Sequence, residues 1–303
     1  MPQGSNDIKR RIKSVKNTNK ITKAMELVSA AKMRKAVARV LSTRTYADLT
    51  WETIMHLVKK VDTTKHPFFR EEKDVKNVAI VLVSTNRGLC GSFNSQIAQK
   101  VIDSIKLHHP EVVKTDIITF GSKGKDEARR RKLNLIADFP KNDITDNSAD
   151  IHPIVSMLVK DFSQAKYDKV FVAYTDFMSS LKQLPHVKQL LPFSATLDER
   201  LGHIIHEKEA EKNNLENISE FKFEPSEEKV LDTFLPRLLE VQLYQAVLES
   251  EASEHSARMF SMRNASDAAT EMIDELTLIY NQVRQASITA EIAEISAGSA
   301  ALE

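Results

Sequence analysis

The feature that most constrains this sequence is the absence of helix breakers from both of its ends. Neither glycine nor proline occurs between Ser5 and His66, and neither occurs between Arg237 and Ala297. Each stretch can therefore form one helix of several tens of residues, up to about 80 to 90 Å long. Helices far longer than the average of about 12 residues are typical of coiled coils and stalks.

The C-terminal stretch carries an apolar seam whose members are three and four residues apart. Such spacing keeps one stripe of a helix against a partner helix. The predicted seam positions are Leu238, Val241, Gln245, Leu248, Ala252, His255, Met259, Met262, Ser266, Ala269, Ile273, Leu276, Tyr280 and Val283. We expect Pro236 to kink this helix or to mark where its long part begins, and Gly298 to end it.

The N-terminal stretch has a similar seam, but its apolar residues change phase. We therefore expect a less regular pairing. Its predicted positions fall in four groups: Ile8, Ile12 and Val15; Ile21, Met25 and Val28; Met33, Ala36 and Val40; and Ile54, Leu57 and Val61.

The two ends also carry opposite charge, although the whole chain of 303 residues has a net charge of only +1. Residues 1–70 contain 16 Lys and Arg against 5 Asp and Glu, whereas residues 237–303 contain 4 against 11. Antiparallel pairing of the two helices would bury both seams and bring the opposite charges together. No window approaches the roughly 18 apolar residues of a membrane span.

Most of the glycines and prolines lie between the two ends, where the pattern changes to alternating strands and helices. The predicted strands are Val78–Ser84, Asp116–Gly121 and Lys169–Thr175, and the predicted helices are Ser92–His108, Lys123–Leu133 and Asp150–Phe162. This order favours a small parallel βαβ sheet. The fold class is therefore α/β, a long antiparallel coiled coil with an inserted Rossmann-like domain. The expected boundaries are 1–66 for the first helix, 67–200 for the α/β domain, 201–225 for a charged connection and 226–303 for the last helix.

A nucleotide-dependent enzyme built on the central sheet is one alternative. The turn STNRGLCGSFN at residues 84–94 joins a strand to a helix, and residues 121–125 read GSKGK. Neither has the spacing of a P-loop or of a dinucleotide fingerprint, so a structural turn is favoured over a phosphate site. His203 and His206 beside Glu207 could hold a metal, but solvated histidines are favoured. Cys90 is expected to be a small buried thiol rather than a nucleophile.

A DNA-binding protein is the other alternative. A basic helix followed by heptads is the outline of a zipper-type binder. The first helix lacks a run of leucines at the seam, however, and the same chain offers it an acidic partner helix. We therefore favour pairing within the chain over nucleic-acid binding.

Three separated motifs resemble the γ subunit of F-type ATP synthases over nearly the whole chain. They are IKRRIKSVKNTNKITKAMELVSAAKMRKA at residues 8–36, STNRGLCGSFN at residues 84–94, and two C-terminal segments, residues 223–266 and 278–302. The resemblance implies a central rotor shaft that couples ion flow through the membrane c-ring to ATP synthesis or hydrolysis at the β subunits. It implies partners in the α, β and ε subunits and the c-ring, and no catalytic site, cofactor, metal, nucleic acid or small-molecule substrate.

The same resemblance implies two sets of contact residues. Lys23 and Met25 would meet the moving acidic segment of the β subunit, supported by Arg258, Gln285 and Thr289 on the other helix. The residues that would meet the c-ring and ε are Phe221, Phe223 and Glu224.

The central motif departs from the family at two positions, with Asn86 where an acidic residue is usual and Ser92 where glycine is usual. The dithiol insertion of chloroplast forms is absent. Because the family's start follows almost directly on Met1, we expect a bacterial chain peripheral to the cytoplasmic face of the cell membrane.

Overall fold

The two ends of the chain form its two longest helices, as their lack of breakers predicts. The computed structural model describes residues 5–58, 66–70, 72, 74–108, 112–142, 145, 147–193 and 226–300. It contains two compact units. The first unit comprises Met1–Ala30 with Arg258–Glu303, and the second comprises Ala31–Ala257.

Five α-helices and five strands form the regular structure of the described residues. The helices are α1 (Ser5–Val58), α2 (Phe93–His108), α3 (Ser122–Arg130), α4 (His152–Ser163) and α5 (Glu227–Ala300). The strands are β1 (Asn77–Val83), β2 (Lys114–Phe120), β3 (Asn134–Phe139), β4 (Lys169–Phe177) and β5 (Gln183–Leu191). Short 3-10 turns cover Pro67–Phe69 and Ser148–Asp150.

Helix α5 runs through both Pro236 and Gly298, so the predictions that Pro236 begins its long part and that Gly298 ends it are wrong, while the kink at Pro236 stays a prediction. Proline removes one backbone hydrogen bond from a helix interior. Here its neighbours Leu235, Leu238 and Leu239 are fully buried, and this packing offsets the missing bond. A single glycine in a helix costs only about 1 kcal/mol, so Gly298 does not end α5.

The inserted sheet has the order β3-β2-β1-β4-β5. The first four strands are parallel, and β5 pairs antiparallel with β4. The three predicted strands, β1, β2 and β4, are parallel as expected, and the sheet is mixed because of the additional edge strand β5. All three predicted helices are also present, and no bound of these six elements differs from its prediction by more than three residues. Strands β3 and β5 were not predicted.

Two apolar layers hold the sheet of the second unit. One face packs with α4 and with the buried leucines of α5, in a cluster that includes Val81, Val172, Leu158 and Leu243. The other face packs with α2, in a cluster that includes Ile80 and Ile97. Because α5 supplies part of the core, the sheet and this part of α5 form one packed body.

The N-terminus of α3 fits tightly against the end of β1. Gly121 has a φ of 110°, and a Cβ there would lie 2.5 Å from the carbonyl oxygen of Ser84. A Cβ on Gly124 would lie 2.6 Å from Ser84 Oγ. That hydroxyl cannot turn away without cost, because it accepts from Gly124 N and donates to the carbonyl oxygen of Gly121, each at 2.8 Å.

We therefore expect Gly124→Ala to lower the free energy of unfolding by about 1 to 3 kcal/mol, the usual cost of overpacking a filled site. Gly88→Ala is the matched control, since nothing lies within 4 Å of the added Cβ. Urea unfolding of the purified chain, followed by circular dichroism, measures both. Equal midpoints for the two variants would contradict this packing.

Candidate partner-contact surfaces

Within the first unit, α1 and α5 run antiparallel and are joined by polar side chains. Asn19 Nδ2 donates to the carbonyl oxygen of Ser266 at 2.8 Å, and the hydroxyls of Thr22 and Ser266 lie 2.7 Å apart. Arg263 Nε donates to Glu26 Oε1 at 3.0 Å. Residue numbers that increase along α1 are thus paired with residue numbers that decrease along α5, which confirms the predicted antiparallel pairing.

The predicted change of phase in the α1 seam is wrong. Ile21 and Val28 are 61% and 55% exposed. The buried positions are instead Thr22, Glu26 and Ser29, which continue the three-four spacing begun at Ile8, Ile12 and Val15. The spacing persists through polar residues because α5 supplies hydrogen-bonding partners for Thr22 and Glu26.

The remaining seam positions agree with prediction wherever the structure describes them. Ala36 and Val40 are buried, and Met33 is half-buried. Every predicted position of the α5 seam is buried or half-buried, from Leu238 to Val283. The side chains of Ile54 and Leu57, and the whole of Val61, lie outside the described residues.

Lys23 and Met25 lie beside the buried carboxylate of Glu26. Lys23 Nζ donates to Glu26 Oε2 at 2.9 Å and is itself 57% exposed, while Glu26 is buried between it and Arg263. The hydrogen bond from Lys23, aided by that from Arg263, holds the pKa of Glu26 below its ordinary value against the opposing effect of burial. Met25 is half-buried next to this charged group.

The three predicted supporting residues on α5 do not share one level with Met25. Arg263 lies opposite Glu26, and the buried Arg258 precedes it by five residues, or about 7.5 Å of helix. Gln285 lies 22 residues beyond Arg263, about 33 Å along the helix. Its carbonyl accepts from the Thr289 hydroxyl at 2.9 Å, and both side chains are exposed. Gln285 and Thr289 thus form a separate surface.

The predicted c-ring and ε contacts lie outside the described residues. Phe221, Phe223 and Glu224 belong to this group, as does the rest of the predicted connection 201–225. The candidate metal ligands His203, His206 and Glu207 lie there too. Within the described ranges, no group of three His, Cys, Asp or Glu side chains is arranged to hold a metal ion.

The first unit also presents exposed apolar side chains that were not predicted, in addition to the expected basic face of α1. Large apolar side chains stand in solvent on both helices: Ile21, Leu27, Val28, Met272, Leu278, Ile288, Ile292 and Ile295. An open groove of 470 Å³ along α1 is lined by Ile12, by Ile273 of α5 and by four lysines: Lys9, Lys13, Lys16 and Lys20. Ammonium groups together with exposed apolar side chains suit an acidic, partly apolar partner.

The candidate phosphate cradle at residues 121–125 is already filled by protein groups. The amide of Ser122 donates to Asn86 Oδ1 at 3.3 Å, that of Lys123 to the carbonyl of Thr85 at 2.8 Å, and that of Gly124 to Ser84 Oγ at 2.8 Å. A phosphate would need these same amides. The turn at residues 84–94 is likewise closed on itself, since the Thr85 amide donates to Asn94 Oδ1 at 3.1 Å and Asn94 Nδ2 donates to Thr85 Oγ1 at 2.8 Å. Cys90 is buried, as predicted.

None of the described helices is both long enough and apolar enough to cross a bilayer.

Three solved structures, each less than 25% identical to this chain, share its fold. A chain of the Euglena gracilis mitochondrial ATP synthase, in a structure of OSCP, F1 and c-ring, matches with a TM-score of 0.66 at 19% identity, covering 98% of this chain and 94% of that one. A second Euglena rotor structure gives 0.61 at 17% identity, covering 94% and 98%. A Tetrahymena thermophila central stalk and c-ring gives 0.58 at 24%, covering 81% and 99%.

Sequence comparison identifies the family. The family model described as ATP synthase matches residues 4–302. The ATP synthase gamma chain of Herpetosiphon aurantiacus is 41% identical, with 98% of each chain covered, and that of Chloroflexus aurantiacus is 39% identical with the same coverage. The chain therefore belongs to the family of ATP synthase γ chains.

Proposed function

We propose that this chain is the central-stalk rotor subunit of an F-type ATP synthase. It couples ion flow through the c-ring mechanically to ATP synthesis or hydrolysis at the β subunits and has no catalytic site of its own. The observation that carries this proposal is the match to γ chains over 98% of both lengths. Its partners are the α, β and ε subunits and the c-ring, and it lies at the cytoplasmic face of a bacterial membrane without entering the bilayer.

The charge and surface of the first unit support this role. The lysine groove and the exposed apolar side chains give the acidic β segment both an opposite charge and an apolar contact. Contacts of a rotor must favour some rotational states over others without holding any one of them too tightly, since coupling arises from differences between states. Exposed lysines provide attraction that is screened by water and salt.

We assign the β contact to two levels of the first unit. Lys23 and Met25, backed by Glu26 and Arg263, form one level, with the buried Arg258 as a neighbouring support. Gln285 and Thr289 form the other level. Phe221, Phe223 and Glu224 remain the proposed contact with the c-ring and ε, within the proposed connection 201–225 that joins the domain at 67–200 to the helix at 226–303.

The test is purification of the tagged chain from gently solubilised membranes of its source, with identification of its partners and an ATPase assay. We expect the α and β subunits to co-purify with ATPase activity, and the isolated chain to bind neither ATP nor NAD. A folded chain recovered alone that binds either nucleotide tightly would favour an enzyme on the central sheet. Salt-dependent binding of duplex DNA near 150 mM salt would favour the zipper alternative.

Met25→Lys is expected to lower ion pumping per ATP hydrolysed by about five-fold, the effect of roughly 1 kcal/mol at an exposed charge pair. The new ammonium would compete with Lys23 and Arg263 for Glu26 and would bind the acidic β segment too tightly at one angle. Met25→Leu, which keeps the apolar volume, is the matched control and should couple normally. Pumping and hydrolysis are measured together in vesicles containing the assembled complex. Equal proportional loss of both would contradict the assigned role of Met25.

A further inference from the structure

A cluster of charged side chains is buried in the second unit, where the segment after β3 meets α5. Lys141 Nζ lies 3.0 Å from Glu254 Oε2 and 3.7 Å from Glu251 Oε1, and all three side chains are less than a tenth exposed. The two glutamates lie three residues apart, on one face of α5. One lysine thus spans two consecutive turns of the helix.

Thr145 attaches the same segment to α5 a second time. Its amide donates to both carboxylate oxygens of Glu251, at 3.0 and 3.3 Å, and its hydroxyl donates to Oε1 at 2.5 Å. The carbonyl of Thr145 accepts from Arg39 Nη1 at 3.4 Å and from the Tyr244 hydroxyl at 3.5 Å. The segment is therefore tied to α1 as well as to α5.

Asn86 connects this cluster to the end of β1. Its Nδ2 donates to the carbonyl of Lys141, and its Oδ1 accepts from the amide of Ser122 at the start of α3. The amide side chain of Asn86 can do both, whereas a carboxylate there would have no proton to donate at neutral pH.

A buried ion pair is a poor way to gain stability, since apolar residues of similar volume often do as well or better. It does fix geometry, because each hydrogen bond has a preferred direction. The apolar layer between the sheet and α5 resists their separation and any large turn of α5, because either would expose its buried leucines. Its contacts have no preferred direction, however, and fix the angle of α5 less sharply than hydrogen bonds do. The bonds to Glu251 and Glu254 fix this angle.

We propose that the cluster of Lys141, Thr145, Glu251 and Glu254 is the junction that locks α5 against rotation relative to the sheet, with Asn86 as a positioning residue. The inference rests on the proposed rotor function. Torque applied to the sheet domain then passes to α5 without slip. A second polar contact adds to the lock, where Ser256 Oγ donates to the carbonyl of Ser180 at 2.5 Å.

The test uses the complete ATP synthase in vesicles and measures ions pumped per ATP hydrolysed against an increasing ion gradient. Lys141→Met is expected to lower this ratio about five-fold at high gradient, a typical coupling magnitude, while hydrolysis continues. Lys141→Arg keeps the charge and should restore most of the ratio. Lys125→Met is the matched control, because Lys125 pairs at 2.8 Å with Asp138 of β3 and does not reach α5.

Asn86→Ala keeps the test valid should Lys141→Met fail to assemble. It retains the charged cluster, removes both the donor to the carbonyl of Lys141 and the acceptor for Ser122, and should lower the ratio about two-fold. A ratio equal to wild type at every gradient in Asn86→Ala, or in an assembled Lys141→Met complex, would overturn the lock. Complexes that pump equally well without this chain would instead overturn the rotor function itself.

Discussion

Lys141→Met is expected to lower the free energy of unfolding of the second unit by about 3 to 5 kcal/mol, the usual result of breaking a buried ion pair. The methionine fills a similar volume but leaves Glu251 and Glu254 buried without the ammonium between them. Urea unfolding of the purified chain, followed by circular dichroism, measures the change.

This deficit should grow with pH. Burial raises the pKa of Glu251 above its ordinary value of 4.5, against the attraction of Lys141 and the hydrogen bonds from Thr145. A carboxyl group with a higher pKa in the folded state loses stability as pH rises from its unfolded pKa through its folded one. Removing Lys141 raises the folded pKa further, so the deficit should be smallest near the ordinary pKa of 4.5 and should grow as the pH rises from there through the raised folded-state pKa.

Lys125→Met is the control for this prediction too, since its exposed ion pair should contribute no more than about 1 kcal/mol. A Lys141→Met variant as stable as Lys125→Met at pH 8 would show that the buried pair is dispensable. A deficit independent of pH would show that the lost packing of the lysine stem, and not its charge, is responsible.

Leu243→Ala is expected to lower the free energy of unfolding by about 2 to 5 kcal/mol, the measured range for emptying a leucine site in a core. Leu243 is fully buried in the apolar layer that joins α5 to the sheet. The expected result is a lower urea midpoint together with weaker hydrogen-exchange protection of the β1 amides, because the layer on that face of the sheet loses its packing.

Leu278→Ala is the control on the same helix. Leu278 is 58% exposed, so the midpoint should change by no more than about 0.5 kcal/mol. Equal effects of the two variants would mean that α5 is not part of the core of the second unit.

The two long helices were predictable because the sequence pattern that indicates them extends over many residues. The absence of breakers and the seam from Leu238 to Val283 are repeated over many turns, so single exceptions matter little. The phase of α1 was not predictable from apolar residues alone. Ile21 and Val28 look like seam residues, but their exposure shows that spacing prevails over hydrophobicity. The spacing places Thr22 and Glu26 inside, where Ser266 and Arg263 complete their hydrogen bonds.

The two strands that sequence reasoning missed are both at the edges of the sheet. Strand β3, NLIADF, alternates between half-buried and exposed residues directly after a helix, and it contains Asn and Asp, which are rare in strands. Strand β5 contains Pro185, which argues against a central strand but is tolerated at an edge, where one missing donor faces outward. The central strands β1, β2 and β4 are richer in β-branched and aromatic residues and were predicted.

The functional sites were harder to predict than the fold, because their residues are brought together only by the tertiary structure. The motif around Met25 indicates a contact surface, but only the antiparallel register shows that Gln285 lies about 33 Å beyond it. The charged junction at Lys141 has no sequence signature. Its residues come from the segment after β3 and from α5, which are more than 100 residues apart in the chain. In the sequence, Lys141, Glu251 and Glu254 look like ordinary surface charges.

Observation of single complexes tests the central claim most directly. The head of the complex is fixed to a surface, and a bead is attached to this chain through Arg129→Cys on the exposed side of α3, while the native Cys90 stays buried and unlabelled. We expect ATP to drive the bead around in one direction, and rotation to stop when ATP is removed. A firmly bound bead that stays still while the same heads hydrolyse ATP would contradict it.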